Sequence, residues 1–438
     1  MRWQVNPPMA DWRPESPTRR GSDFTIATGH QAQFWHPGIL AKDVAMRIAC
    51  DQLGAAPLHL VVDHDTHEAL TLALPQVTDD RLAIRTLRLA DHHLEVPTGY
   101  HPPVDVEAVM RKLRDANDAR LEPFVDAWSS LPDCRTLAQQ VAGVAAHLWQ
   151  PYVGEIPLGW VSDMIQQAPF KELVEAMLDD APACVRAYNA AVRAHPLAGI
   201  GPLQIGREWI ELPLWAVSWN APRRRVYADV ADRKPLLVFE DGQEVDRQTF
   251  DLAPRAMSLS AAMRSFGCDL FIHGKGGDIY DQATQAWWEA WQGQPLGPMA
   301  MATADLYLDF EVPVAQGDTL RDAVWFAHHL PHNLDRQAGA VDPRKRELLE
   351  HMDDDRDRWR RRAAFKQLHA INARLAREHP KRLEQADRQL AQARLGVANR
   401  DIAAKRDWCF ALYPESELRS LIASMQSSLT VPRDKLNV

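Results

Sequence analysis

The chain has 438 residues, 46% of them hydrophobic and 25% charged, the balance of a packed globular protein with room for more than one unit. A formal charge of -9 and a pI near 6.0 argue against a general nucleic-acid binder, because neutralising phosphates needs a basic face. The five cysteines, Cys50, Cys134, Cys184, Cys268 and Cys409, show no CxxC spacing, so neither a disulfide framework nor a thiolate zinc site is expected, and a reducing cytoplasm fits.

The Pro-rich lead-in, residues 1–23, lacks the apolar stretch of a signal peptide, and no apolar run approaches bilayer length, so no membrane partner is expected. Residues 24–28 read as a short strand and 29–38 as a loop rich in Gly, Pro and His. The spacing of Ile39, Leu40, Val44, Ile48 and Leu53 predicts a helix over 39–53, stopped by Gly54. Residues 58–62 form a second apolar run that ends in Asp63-His64-Asp65. This strand, loop, helix, strand order is the βαβ pattern, and it puts polar loops at the carboxyl ends of both strands, where open α/β sheets bind ligands.

Residues 104–194 read as helical, with 106–124, 135–148 and 170–193 the better segments. Strands are expected at 209–219, 225–228, 236–240 and 269–273, and helices at 258–266 and 278–291. Past residue 342 charged residues dominate, and His379-Pro380 divides two long helices expected to form an antiparallel hairpin; Leu383, Leu390, Val397 and Ile402 give its second arm a thin apolar stripe. The Arg-rich run 356–362 alternates with aspartates and reads as a solvated helix face.

Three clusters can carry chemistry. In the first, Thr28, Gly29, His30, Gln31 and Gly38 lead into a helix bearing Lys42; a glycine turn entering a helix offers backbone N–H groups, a positive dipole end and here an ammonium to a phosphate. In the second, Asp63, His64 and Asp65, followed by His67 and Glu68, are expected on a solvated turn where they bind an amine or nucleotide-bound Mg²⁺, or act as acid and base. In the third, Gly274, Lys275, Gly276 and Gly277 repeat the strand-to-helix glycine turn, with Lys275 for a phosphate and Asp278 as the helix cap. The two turns flank one cleft if their strands are neighbours. Trp209, Trp215, Trp219, Trp287, Trp288 and Trp291 are expected to pack the core, and His328, His329 and His332 form a His cluster without standard zinc spacing.

In order and spacing these features resemble the cysteine-adding enzymes of bacillithiol biosynthesis. That family's TGQQ, EDHD and Gly-rich helix-opening motifs correspond to Thr28-Gly29-His30-Gln31, Val62-Asp63-His64-Asp65 and Gly274–Asp278, and its closing Phe-Pro-like turn to 410–414; His30 and Val62 depart from the family residues, and Lys275 stands where the family has Gly. The resemblance implies an α/β fold: a Rossmann-like parallel-sheet core, a helical insertion, and a C-terminal antiparallel hairpin or coiled coil that makes a homodimer. Residues 1–100 and 201–341 are then the two halves of the core, 101–200 the insertion, 342–410 the hairpin and 411–438 a tail. It further implies an ATP-linked ligase joining an amino-acid carboxylate to the amine of a small acceptor, with ATP or ADP, and Mg²⁺ with the nucleotide, near Thr28, Gln31 and Lys42, and with His30, Asp63, His64 and Asp65 as catalytic residues. The alternatives are a nucleotide-binding scaffold on the same fold and a metal-dependent hydrolase.

Overall fold

A computed structural model describes residues 1–12, 24–231, 235–337, 339, 341–354 and 356–429. The chain forms two units: Met1–Leu74, Thr86–Leu306 and Arg406–Val438 make the first, Pro75–Arg85 and Tyr307–Lys405 the second. In chain order, β1 (Arg2–Asn6), β2 (Thr25–Gln31), α1 (Pro37–Leu53) and β3 (Ala56–Val62) precede a hairpin of β4 (Thr71–Thr78) and β5 (Arg81–Arg88). Helices α2 (Val106–Asp115), α3 (Glu122–Ser129) and α4 (Leu137–Val153) lead to β6 (Leu158–Trp160), α5 (Val161–Met164), α6 (Ala168–Asp179) and α7 (Ala181–Ala194). Then come β7 (Trp209–Val217), β8 (Arg224–Asp229), β9 (Leu236–Val238), β10 (Asp251–Pro254), α8 (Met257–Ala262), β11 (Leu270–His273), α9 (Lys275–Gln292) and β12 (Met299–Asp305). The helices α10 (Gly317–His329), α11 (Leu334–Gln337), α12 (Pro343–Asp354), α13 (Arg358–Glu378) and α14 (Pro380–Ala403) belong to the second unit, and α15 (Glu415–Leu429) to the first.

The α/β class holds. The first unit is built on a six-stranded sheet of order β1-β12-β11-β2-β3-β6, parallel throughout except for β1, which runs antiparallel to β12 at the edge. From β2 the chain moves outward to β3 and β6 on one side, and later to β11 and β12 on the other, so the strand order reverses between β2 and β11. Helix α1 is buried along most of its length, as a crossover helix must be when it covers a parallel sheet. Gly54, at φ 69°, ends it in the left-handed conformation expected of its position. A second, antiparallel sheet of order β10-β7-β8-β9 packs its apolar residues Leu212, Leu214, Val226 and Ala253 into one core with α7, α8 and α9.

Several expectations need correction. The helix expected over 106–124 is broken between α2 and α3, because Asn117 takes φ 50° and Asp118 caps a new turn. The strands β1, β4, β5, β6, β10 and β12 lie outside the expected ones, and the segment after α8 widens into a π-type turn, Met263–Gly267. Helix α9 starts at Lys275, so the third glycine cluster lies mostly within its first turn and Gly274, not Asp278, is the cap.

The second unit also departs from the hairpin expected over 342–410. The arms α13 and α14 do meet at His379-Pro380, and near that junction Leu375 and Ala386 share a cluster with Leu330 and Leu334. Otherwise α14 packs chiefly on α10, and α13 on α12. The buried residues of α14 are Ala386, Ala393, Gly396 and Asn399, while the larger stripe residues Leu383, Leu390, Val397 and Ile402 lie beside that line, half-buried. No helix among the described residues is long and apolar enough to cross a membrane.

Asn399 ties this unit together. Fully buried, it accepts from Leu82 N (2.9 Å) and donates to Asp80 O (2.7 Å) and Pro313 O (3.0 Å). Asn399→Ala removes all three bonds and should destabilise the second unit by about 2 to 4 kcal/mol. Denaturant unfolding with limited proteolysis at the 79–82 turn checks this; a loss below about 1 kcal/mol would refute the assignment.

Candidate functional site

The register pairs Thr28 with Ile272, so β2 and β11 are neighbours and both glycine turns leave the same edge of the sheet. A cavity of about 510 Å³ opens there, lined from β2 by Gly29, His30 and Gln31, after β3 by His64 and Asp65, and after β11 by His273, Gly274, Lys275, Gly276 and Gly277. It thus sits at the carboxyl ends of parallel strands where their order reverses, the ligand position of open α/β sheets. A larger cavity, about 640 Å³, lies beside Leu236–Val238, but its charged residues are all exposed: Arg247 is already paired with Glu175, and Glu244 and Asp246 add only negative charge. Convergence of polar groups, rather than size, marks the first as the site.

Gly29 has no room for a side chain, since a Cβ would lie 2.6 Å from Leu60 O. This close approach leaves its carbonyl to Lys42, whose Nζ donates to Gly29 O at 2.5 Å. Lys42 is only 4% exposed yet lines the cavity, and burial lowers its pKa to about 8 against the smaller opposing pull of Asp43. Two expectations for this cluster fail. Thr28 is fully buried, donates from Oγ1 to Ile272 O (2.9 Å), and does not line the cavity. The start of α1 has no open donors: Gly38 N donates to His36 Nδ1 (3.0 Å), and Ile39 N and Leu40 N donate to His36 O. His30, beside Gln31 O and Gln33 Nε2, is held neutral by burial and by Lys42.

At the second turn Gly277 makes room for His273, because a Cβ there would come 2.5 Å from His273 Nδ1. His273 Nε2 lies 3.4 Å from Asp281 Oδ1, and Asp281 is itself paired with Arg264 in a buried contact. Lys275 is exposed at the rim, and Tyr280 on the next turn of α9 is kept a neutral phenol by burial.

The Asp63-His64-Asp65 segment is not a solvated turn. Asp63 is 2% exposed, accepts from Ser162 N (3.0 Å) and Ser162 Oγ (2.5 Å), and does not line the cavity; burial raises its pKa to about 6. Gly99 N donates to Asp63 O (2.7 Å) and Thr98 N to Asp65 O (3.3 Å), so the turn is pinned from the following loop. His64 is buried at the cavity wall, bonded to the carbonyl of Pro254, and burial lowers its pKa to about 4. Burial pushes Asp65 up, but Arg223 at 2.5 Å, Gln31 Nε2 at 3.2 Å and Thr66 N at 2.9 Å outweigh it and hold the carboxylate below its ordinary range. His67 Nε2 donates to Ala32 O (2.8 Å) and Glu68 Oε1 accepts from Leu70 N (3.2 Å), both serving local structure.

Sequence reasoning missed Arg223 and Arg406. Arg223 leaves the β7–β8 turn, stacks 4.3 Å over the Trp215 ring and reaches Asp65; Arg255 stacks at 4.5 Å on the same ring and is fixed by buried Glu211 (2.6 Å). Arg406 follows α14 in sequence, pairs with Asp305 at the end of β12 and lines the cavity beside His36. The Arg223-Arg224-Arg225 run was the available signal for the first; nothing local marked the second. Trp215 is therefore a cavity wall and Trp219 is exposed, whereas Trp287 is core, stacked on Trp291. His329 stacks on Trp325, and no group of three or more His, Cys, Asp or Glu among the described residues is arranged to hold a metal ion.

The lining thus contains Lys42, Lys275, Arg223 and Arg406 against a single carboxylate, Asp65, which is already paired. Such a wall favours an anionic ligand. No family model matches the chain, and no curated protein matches it.

Asp63 yields a sharp test. With its folded pKa raised from 3.8 to about 6, the native state holds more protons than the unfolded state between those values. Its contribution is therefore fully present below about pH 4 and lost as pH rises through 6, on the order of 3 kcal/mol. Asp63→Asn should abolish that part of the pH dependence, while Asp63→Ala, which strands both Ser162 donors, should cost about 2 to 4 kcal/mol. Unfolding free energies at pH 4.5 and 7 for the three proteins check this; identical slopes in wild type and Asp63→Asn would sink it.

Proposed function

We propose that the cavity binds the phosphates of a nucleotide and that the protein is an ATP-linked ligase, joining an amino-acid carboxylate to the amine of a small acceptor on a Rossmann-like core. The observation that carries the reading is the convergence of Lys42, Lys275, Arg223 and Arg406 on one cavity at the strand-order reversal. The resemblance to the cysteine-adding enzymes supplies the reaction. Amide formation from a carboxylate requires its activation, and a bound ATP would supply the phosphoryl or adenylyl group for that step. The residues then contribute placement and charge: Lys275 and the Gly274–Gly277 turn would hold phosphate at the start of α9, and Lys42 and Arg406 would face the same anion. His64, held neutral by burial, would leave the positive charge of this wall to the lysines and arginines.

The donor set fits a nucleotide better than a metal held by protein alone. Asp63 is committed to Ser162 and Asp65 to Arg223, so Mg²⁺ would enter with the phosphates that coordinate it. The same engagement favours a second reading, a nucleotide-binding scaffold without turnover, because no unpaired carboxylate among the described lining residues is left to bind an ammonium. The homodimer expected from the resemblance belongs to this proposal too, and light scattering at micromolar concentration tests it separately.

Calorimetry with ATP at low salt should show binding that Lys275→Ala or Arg406→Ala weakens by about 1 to 3 kcal/mol, and that Thr28→Val leaves unchanged. Affinity should decline above about pH 8 as Lys42 loses its proton. Amine-dependent ATP consumption in a screen of amino acids and amino sugars identifies the ligase; tight binding without it identifies the scaffold. Absence of ATP affinity at low salt would overturn both.

A further inference from the structure

His273, the last residue of β11, lines the cavity without belonging to its cationic set. Its ring is bounded on three sides. Phe271 lies edge-on at 4.7 Å, Gly277 abuts Nδ1 so closely that a Cβ would come within 2.5 Å, and Nε2 lies 3.4 Å from Asp281 Oδ1. Nε2 and Oδ1 are both buried and have no hydrogen-bond partner elsewhere among the described residues, so each is the group available to the other. Oδ2 of the same carboxylate is held from behind. Arg264 Nη1 donates to it, and Arg264 is fixed in turn by Gly297 O (2.7 Å to Nε) and Gln285 Oε1 (2.6 Å to Nη2).

A carboxylate gripped at one oxygen by a buried guanidinium and presenting the other to an imidazole decides where that ring carries its proton. Oδ1 only accepts, so Nε2 bears the hydrogen and Nδ1 keeps its lone pair. The 3.4 Å separation is a loose hydrogen bond, as such pairs commonly show before a ligand is in place. Nδ1 lies against Gly277, itself a lining residue of the second glycine turn. The other bases of the wall are engaged: Asp65 by Arg223, His36 Nδ1 by Gly38 N, and His30 Nδ1 by Gln31 and Gln33, while burial sets His64 against taking a proton.

We propose that His273 is the proton acceptor of the candidate active site and that Asp281 is its positioning residue. In amide formation the amine nitrogen bonds to the activated acyl carbon, and the bond from that carbon to the phosphate or adenylate oxygen breaks, its electron pair leaving on the oxygen. The proton shed by the amine passes to His273 Nδ1. The imidazolium so formed faces the Asp281 carboxylate, which meets its charge without taking the proton. The proton-transfer role rests on the ligase reading; the tautomer does not.

The test has two arms on the full-length protein. In the first, the tautomer is read by NMR with ¹⁵N-histidine labelling at a pH where the ring is neutral, the resonance assigned by its disappearance in His273→Ala. Wild type should show the Nε2–H form. In Asp281→Asn, Arg264 keeps the amide oxygen on its own side and turns the amide NH₂ toward Nε2, so the ring should switch to Nδ1–H and lose its acceptor. An Nδ1–H ring in wild type overturns the proposal, and wild type alone decides this arm if Asp281→Asn does not fold. An unswitched ring in folded Asp281→Asn also overturns it. In the second arm, amine-dependent ATP consumption should fall about 100-fold or more in kcat for His273→Ala and for Asp281→Asn, with ATP affinity by calorimetry unchanged. Full turnover in either variant overturns the proposal and leaves the ligase reading intact. A wild type with the Nε2–H ring and ATP affinity but no amine-dependent consumption upholds the hold of Asp281 on the ring and rejects the ligase reading, together with the proton transfer that depends on it.

Discussion

The parallel pairing of β2 with both β3 and β11 is the constraint on which the site depends. It aligns three strand ends on one edge, and it does so at very close backbone range, since Gly29 lies against the Leu60 carbonyl with no space for a methyl group. Two chain segments more than two hundred residues apart thereby present their glycine turns to one cavity. The second sheet completes it through Trp215 and Arg223, which face that edge because Arg255 and Glu211 lock the tryptophan in place. The candidate site is thus assembled by tertiary pairing, and no single segment contains it.

Charge burial then divides the polar residues into two kinds. Asp63 and the Arg264–Asp281 pair are engaged by buried internal partners and serve the fold, since removing either partner would strand a buried donor or charge. Asp65 with Arg223 is different: both side chains remain partly exposed at the cavity, so an incoming anion can compete for the guanidinium without exposing a buried charge. Lys42 stands between the two kinds, buried like a structural group but open on one side to the ligand space.

Much of the core was legible in the sequence, because β2, α1, β3 and β11 are apolar runs bounded by Gly or by polar clusters, and Gly54 stops α1 as its position requires. β12 was not: Met299–Asp305 is mostly Ala and Met, without a β-branched signal until Thr303, and it becomes a strand because β11 and β1 pair with it on either side. β1 sits in the Pro-rich lead-in and takes its register from β12. Both glycine turns line the cavity, yet Thr28 and the α1 start do not offer the free donors expected of them, because whether a strand-end hydroxyl or a helix N–H is free depends on a neighbour, here Ile272 and His36. Asp63 was misjudged for the same reason, its acceptor role depending on Ser162, 99 positions away in sequence. Arg406 arrives from beyond the second unit's helices and could not have been placed by local pattern.

The chain as a whole is acidic while its cavity is cationic, and the two facts are compatible because electrostatic reach is short. At physiological salt, exposed carboxylates more than about 8 Å away are largely screened, whereas charges in a partly desolvated cleft are not. What an entering ligand meets is therefore set by the lining, and there Asp65 is neutralised by Arg223, the histidines His30 and His64 are held uncharged, and neither Lys42 nor Lys275 has a carboxylate partner among the described residues. With Asp63 in its contacts with Ser162, Asp43 behind the wall with His59 and the lining carboxylate Asp65 paired with Arg223, the ammonium groups are the charges left without a carboxylate partner among the described lining residues. The placement of the buried carboxylates thus helps to set the positive character of the cavity, although none of them lines it.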